Sequence, residues 1–192
     1  MDLKKNFKIY RRGQVIQVKF EPQTGYEIKG IHYAIVITKR DQPFIGTLTV
    51  IPLTSKKGNH LTPIGSCISD NLIDELNKES DYYNGLFKKV RNRIEEIQNE
   101  PDLIKTITDE EIQQMNADLD TYKSNYKYFY SLAHKYKNIK QASYANINQI
   151  TTIDKSKILN PLNKLDPLPK LKVPNEILDI IDKKIVELFT NL

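Results

Sequence analysis

The chain has 192 residues, 39% hydrophobic and 28% charged, the balance of a soluble globular protein large enough to bury a substantial core. Its net charge is +5, a mild basic excess that suits a polyanion-binding protein and excludes an acidic, disordered one. No apolar run is long enough to cross a bilayer, and the single cysteine, Cys67, excludes an internal disulfide and most cysteine-based metal sites.

Met1 to Tyr10 carries Lys4, Lys5 and Lys8 but no apolar run, so no secretory leader is expected and the cytoplasm is the expected compartment. Gln14 to Phe20 alternates polar and apolar residues, the period-two pattern of a half-buried strand. Glu21 to Gly30 supplies Pro22, Gly25 and Gly30, a loop bounded by turn residues. Tyr33 to Ile37 is a β-branched run suited to a strand buried on both faces. Thr47 to Leu53 is another, with Pro52 at an edge or bulge position. Short strands with Gly/Pro turns between them predict a small barrel or sandwich. In the apolar setting of Ile64 and Ile68, Cys67 reads as a packing residue.

The period then changes. Tyr83, Phe87, Val90, Ile94 and Ile97 recur in steps of four and three, and Pro101 stops that helix. Thr108-Asp109-Glu110-Glu111 reads as a capping box. Behind it, Ile112, Met115, Leu119, Tyr122, Tyr126, Phe129, Ala133 and Tyr136 form a heptad seam. Two such helices predict an antiparallel hairpin, each seam burying the other. Strand character resumes over Gln141 to Ile153. Pro161, Pro167, Pro169 and Pro174 mark a connector, and Pro174-Asn175-Glu176 opens a last helix with Ile177, Ile180, Ile181, Ile185 and Leu188 on one face. The expected organisation is α+β, a discontinuous barrel domain over residues 1–77 and 141–192 interrupted by a hairpin over 78–140. From Lys78 to Lys140 there are 11 basic and 11 acidic residues, so the remaining 18 basic and 13 acidic residues carry the whole excess.

The strand segments resemble, in order, those of the PemK/MazF-like toxins of type II toxin-antitoxin systems. Arg12-Gly13-Gln14-Val15-Ile16 resembles the family's opening R-G-D/E strand. Gly25-Tyr26-Glu27 before Ile31-His32-Tyr33-Ala34-Ile35-Val36-Ile37 resembles its G-x-E loop leading into R-P-hydrophobic-V. Val50-Ile51-Pro52-Leu53-Thr54-Ser55 is similar to its V-x-P-hydrophobic-T-S strand end, and Asn148-Gln149-Ile150-Thr151-Thr152-Ile153-Asp154 to its D/E-Q-x-R-T-I-D element. The resemblance implies an SH3-like barrel, usually a homodimer, that cleaves single-stranded RNA without a metal or other cofactor and is silenced by a cognate antitoxin. Two departures touch the chemistry: His32 stands where the family has arginine, and Thr151 stands at the second arginine. Either the chemistry has moved to His32 or catalysis is weakened or absent.

Metal-free RNA cleavage needs a base for the 2′-hydroxyl, donors for the phosphorane and an acid for the leaving oxygen. His32 can exchange a proton near neutrality. Glu27 can orient the imidazole or act as the base, and the Thr54 hydroxyl can donate to a phosphate oxygen. Lys56 and Lys57 are expected to track the RNA backbone, Ser55, Tyr26 and Lys29 are further expected RNA-binding residues, and Asn146 and Asn148 could read bases. The residues also admit structural readings, with His32 a hydrogen-bonded strand residue and Thr54-Ser55 a turn cap. The expected function is a toxin-like endoribonuclease acting on mRNA through a 2′,3′-cyclic phosphate. The alternative is a non-catalytic nucleic-acid- or protein-binding module on the same barrel. His60 and His134 read as surface residues, and the histidine spacing predicts no metal.

Overall fold

The computed structural model describes residues 6–21, 25–137, 139 and 142–191. Pro22, Lys140 and Gln141, which entered the predicted loop and boundaries, lie outside the described residues. The chain divides into two compact units. The first takes residues 1–72, 139–161 and 167–192, and the second residues 73–138 and 162–166.

The first unit is built on six antiparallel strands: β1 (Val15–Phe20), β2 (Gly30–Val36), β3 (Thr47–Thr54), β4 (Thr62–Gly65), β5 (Ser143–Ala145) and β6 (Thr151–Asp154). Their order is β1-β2-β3-β5-β4, with β6 also on β3, and no pairing among the described residues joins β1 to β4. β3 is the shared strand. One edge pairs with β2, and the other takes β6 at Thr47–Val50 and then β5 at Leu53–Thr54. Pro52 falls at that change of partner, where the missing N–H interrupts no ladder bond, and its carbonyl accepts the Asn146 amide at 2.9 Å.

The alternation predicted for β1 is present. Ile16, Val18 and Phe20 join Ala34, Val36, Leu48, Val50, Ile153 and Tyr10 in one buried cluster. The opposite parity, Val15, Ile35 and Ile51, is buried too. On the Gly13 side lies α3 (Asn175–Phe189). Gly13 sits at φ +83°, and Leu178 Cδ1 stands 3.0 Å from where its Cβ would be, so this glycine serves both a left-handed turn and a close helix approach. Arg12 ties the same turn to α3 through Asp182.

Three predictions are corrected here. The strand expected over Gln141 to Ile153 is broken by a short 3-10 helix, Ile147–Gln149, closed by the amides of Gln149 and Ile150 on the carbonyls of Asn146 and Ile147. On α3 the buried pair is Leu178 and Ile181, while Ile180 and Leu188 are exposed. The first long helix, α1 (Cys67–Asn99), begins well before the predicted periodicity, with the Asp70 amide on the Ser66 carbonyl at 2.9 Å.

In the second unit α1, from Ile73 on, runs antiparallel to α2 (Asp109–Tyr136), with the 3-10 helix Pro101–Thr106 between them. Phe87 stacks on Tyr122, and Tyr83 meets Phe129 edge-on. Thr108 caps α2 by accepting the Glu111 amide at 3.2 Å, but the Glu111 carboxylate does not reach back. It accepts Arg93 Nε from α1 at 2.6 Å. The predicted seam is only half buried: Tyr83, Val90 and Ile97 turn toward α2, whereas Phe87, Ile94, Ile112 and Tyr126 are exposed. Asp118, Asn125 and Leu132 are buried in place of the last two and their heptad mates.

Candidate active site

β2 places His32 at an even position, in line with Ala34 and Val36 on the core-cluster face and opposite Val18 of β1. Beyond the apolar cluster that face comes to the rim, where His32 is half-buried with the Phe20 ring edge-on at 6.3 Å. The β2–β3 register runs Val36↔Val50, Ile35↔Ile51, Ala34↔Pro52 and stops there, short of His32; Thr54 instead pairs with Tyr144 of β5.

The imidazole is held by the carbonyl of Lys29, 3.1 Å from Nε2. A carbonyl only accepts, so Nε2 carries the hydrogen and Nδ1 of the neutral ring is left as an acceptor. The sequence offered Glu27 as the group orienting the imidazole; the loop backbone at Lys29 fills that role instead. Thr54 Oγ1 accepts the Lys56 amide at 3.1 Å, which closes the turn and leaves the hydroxyl hydrogen available to donate. The turn reading and the donor reading are therefore compatible. Ser55, Lys56 and Lys57 continue from this strand end as exposed residues.

A groove of about 290 Å³ opens at the same end of the core, lined by Phe20, Glu27, Ile28, Asn148, Gln149, Ile150, Thr151 and Lys157 among others. Phe20 belongs both to its wall and to the ring contact with His32. Glu27 and Asn148, 121 positions apart in the sequence, meet here because the Gln149 side-chain amide donates to the Tyr26 carbonyl at 2.7 Å. Tyr26 is fully exposed on that loop, with Lys29 also at the surface.

Buried polar atoms are ordinarily paired. Asn146 Oδ1 and Gln149 Oε1 are buried without a hydrogen-bond partner among the described residues. Asn146 was singled out from sequence as a base reader, and Gln149 was not, although it stands in the quoted Asn148–Asp154 element. Lys157, 3.7 Å from Glu21, brings a cation to the groove that no motif indicated. Of the predicted residues, Glu27 and Asn148 line the groove, His32 stands beside it through Phe20, and Thr54 with the turn after it lies at the end of β3. His60 lies on the surface, beside Gly58.

The rim of the sheet thus carries an imidazole, and beside it a groove lined by Glu21 and Glu27, groups of the kind that acid–base chemistry uses. The family of PemK-like, MazF-like toxins of type II toxin-antitoxin systems matches residues 11–122, more than half of the chain, and the chain belongs to it. The match takes in β1 to β4 and α1 and ends within α2, so Asn148–Asp154 and α3 lie outside it. No curated protein matches the sequence.

Proposed function

We propose that this chain is the toxin of a toxin-antitoxin pair and a metal-independent endoribonuclease acting on single-stranded RNA. The family match carries the reading, because toxins of this family are generally endoribonucleases with an antitoxin partner. In this proposal the sheet is the family's SH3-like barrel and the α1–α2 pair an insertion in it.

The chemistry follows from the tautomer. Nδ1 of neutral His32 takes the 2′-hydroxyl proton as the oxygen attacks the adjacent phosphorus, and the imidazolium then returns that proton to the leaving 5′-oxygen, directly or through a bridging water, as the P–O5′ bond breaks. The Thr54 hydroxyl donates to a non-bridging phosphate oxygen as charge builds there. Lys56 and Lys57, with Lys29, track the strand electrostatically, Ser55 adds a donor, and Tyr26 offers a ring for stacking. Glu27 accepts from bases in the groove and Asn148 accepts from or donates to them, with Asn146 on the same segment just outside its lining.

The replacement of the family's two arginines by His32 and Thr151 favours a second reading, a binding module that holds RNA or a partner protein without cutting. Incubation of a long single-stranded RNA in EDTA separates the two. Fragments ending in 2′,3′-cyclic phosphate, absent with Thr54→Val, support the nuclease; RNA retarded in a gel but uncut supports the module.

A further inference from the structure

The sequence stripe on α2 is wider than the seam that uses it. The seam buries the column Met115–Tyr122–Phe129–Tyr136 at least in part and, beside it, Asp118, Asn125 and Leu132. The column Ile112–Leu119–Tyr126–Ala133, spaced by sevens, lies toward the outer side, with Leu119 half-buried and the other three exposed. On α1 the corresponding column is Ile73–Ser80–Phe87–Ile94, again in sevens. Ile73, Phe87, Ile94, Ile112 and Tyr126 keep 40–58% of their surface in water. The Phe87–Tyr122 stack at 4.8 Å and the Tyr122–Tyr126 contact at 6.1 Å show that both columns border one side of the pair.

Two apolar columns of heptad spacing, one on each of two antiparallel helices, are the groove into which a third helix of a bundle packs. The stripe covers three heptads, ~32 Å at ~1.5 Å per residue. The opposite side of the pair needs no such cover. Lys89 lies 4.0 Å from Asp118, Arg93 binds Glu111 and Glu96, and Gln114 donates to Asp118 at 2.8 Å.

The flanks of the groove select the occupant. Outside the apolar columns run Asn77, Asn84, Arg91 and Gln98 on α1, and Asn116, Lys123, Tyr130 and Lys137 on α2. These positions hold three cations and no carboxylate; Asp109, in line with them, stands a turn before the stripe begins. Arg91 is engaged by Glu95 at 2.8 Å, which leaves Lys123 and Lys137 facing the groove's edge. A symmetric pairing of two copies would set this carboxylate-free flank against its own copy and leave the lysines without a counter-charge. Single-stranded RNA would satisfy the lysines but not Ile73, Ile94 and Ile112, which offer no ring to stack on a base.

We propose that this face is the docking site of an acidic amphipathic helix of about three heptads, supplied by another protein, whose apolar stripe fills the groove and whose flanking carboxylates meet Lys123 and Lys137. The proposal stands apart from any cleavage by the sheet. The test titrates the full chain with a synthetic three-heptad peptide bearing Leu at a and d and Glu at e and g. Parallel titrations use the same peptide with Lys at e and g, and a 2′-O-methyl oligouridylate.

The acidic peptide alone is expected to bind, at least tenfold more weakly to Ile112→Gln/Tyr126→Gln, with helix content of the variant checked by circular dichroism. Lys123→Glu/Lys137→Glu, which leaves the apolar columns intact, is expected to lose the acidic peptide by a similar factor and gain the basic one. The proposal is overturned if the acidic peptide fails to bind or if both peptides bind wild type equally. It is also overturned if the apolar variant abolishes oligouridylate binding instead, or if it converts a sedimenting dimer to monomer.

Discussion

The pair of Lys155 and Asp41 offers the sharpest energetic test of the fold. Their side chains are 3% and 1% exposed, with Nζ 2.8 Å from Oδ1. Asp41 also accepts the Tyr10 amide at 2.8 Å and the Gln42 amide at 2.9 Å, while the ammonium lies 5.8 Å from the Phe7 ring centre and 5.9 Å from that of Tyr10. The Lys155 amide meanwhile donates to the Gly46 carbonyl, so the pair fastens the end of β6 to the segment before β3. Lys155→Met keeps the packing volume but strands a buried carboxylate, a loss of about 3–5 kcal/mol. At 2–4 °C per kcal/mol for a chain of this size, the midpoint of thermal unfolding is expected to fall by about 6–20 °C. Urea unfolding checks it: the midpoint should move with the slope unchanged. Asp41→Asn should cost a comparable amount, and the double variant less than the sum of the two, because the second change removes the charge the first left alone. Lys105→Met, which removes one member of the exposed pair with Asp102, is the control and should change little. Additive single effects, or a Lys155→Met loss no larger than the control's, would refute the reasoning.

Further outcomes follow from single contacts. Tyr136 donates to the fully buried carboxylate of Asp166 at 2.6 Å, alongside Lys135 at 2.8 Å, so Tyr136→Phe is expected to cost about 1.5–3 kcal/mol in urea unfolding. An unchanged midpoint would contradict it. Gln149→Ala removes the bond to Tyr26, and amide exchange over Tyr26–Lys29 should quicken in hydrogen–deuterium measurements. Exchange there at the wild-type rate would mean that the loop is held by other contacts. Burial, and after it the nearby Asp70 carboxylate, push the Cys67 thiol above its usual pKa, and its S–H donates to the Ile64 carbonyl at 3.3 Å. Less thiolate is then present at any given pH, so alkylation by iodoacetamide at pH 7.5 should run slower than for a free-cysteine peptide.

What the sequence revealed and what it concealed divide along physical lines. β1 and β3 were legible because alternation is imposed by burial, and α2 because its cap and heptads are local. The start of α1 was concealed because its first turns, around Ile68 and Leu72, lie in a short apolar stretch that does not separate helix from strand. The apolar stripe of α2 was legible, yet which half of it is buried depends on α1, and the burial of Asp118 and Asn125 is a pairing effect that no single-helix period encodes. For the site, His32, Thr54 and Glu27 could be named from motifs, but their relation could not. His32 is set beside Phe20 by the β1–β2 pairing, and the groove's two sides are tied by a hydrogen bond between Gln149 and Tyr26, 123 positions apart. The Lys29 carbonyl that fixes the imidazole tautomer is a backbone group, invisible to any reading of side chains.

The most direct test of the central claim compares wild type with His32→Ala on a long single-stranded RNA in EDTA, with both proteins shown to be folded. Cyclic-phosphate ends from wild type are expected, with at least a hundredfold slower cutting by the variant, as for loss of a general acid–base worth about 10²–10⁴ in rate. Equal cutting by the two proteins would contradict the claim by moving the chemistry away from His32, and RNA left intact by wild type would contradict the nuclease itself.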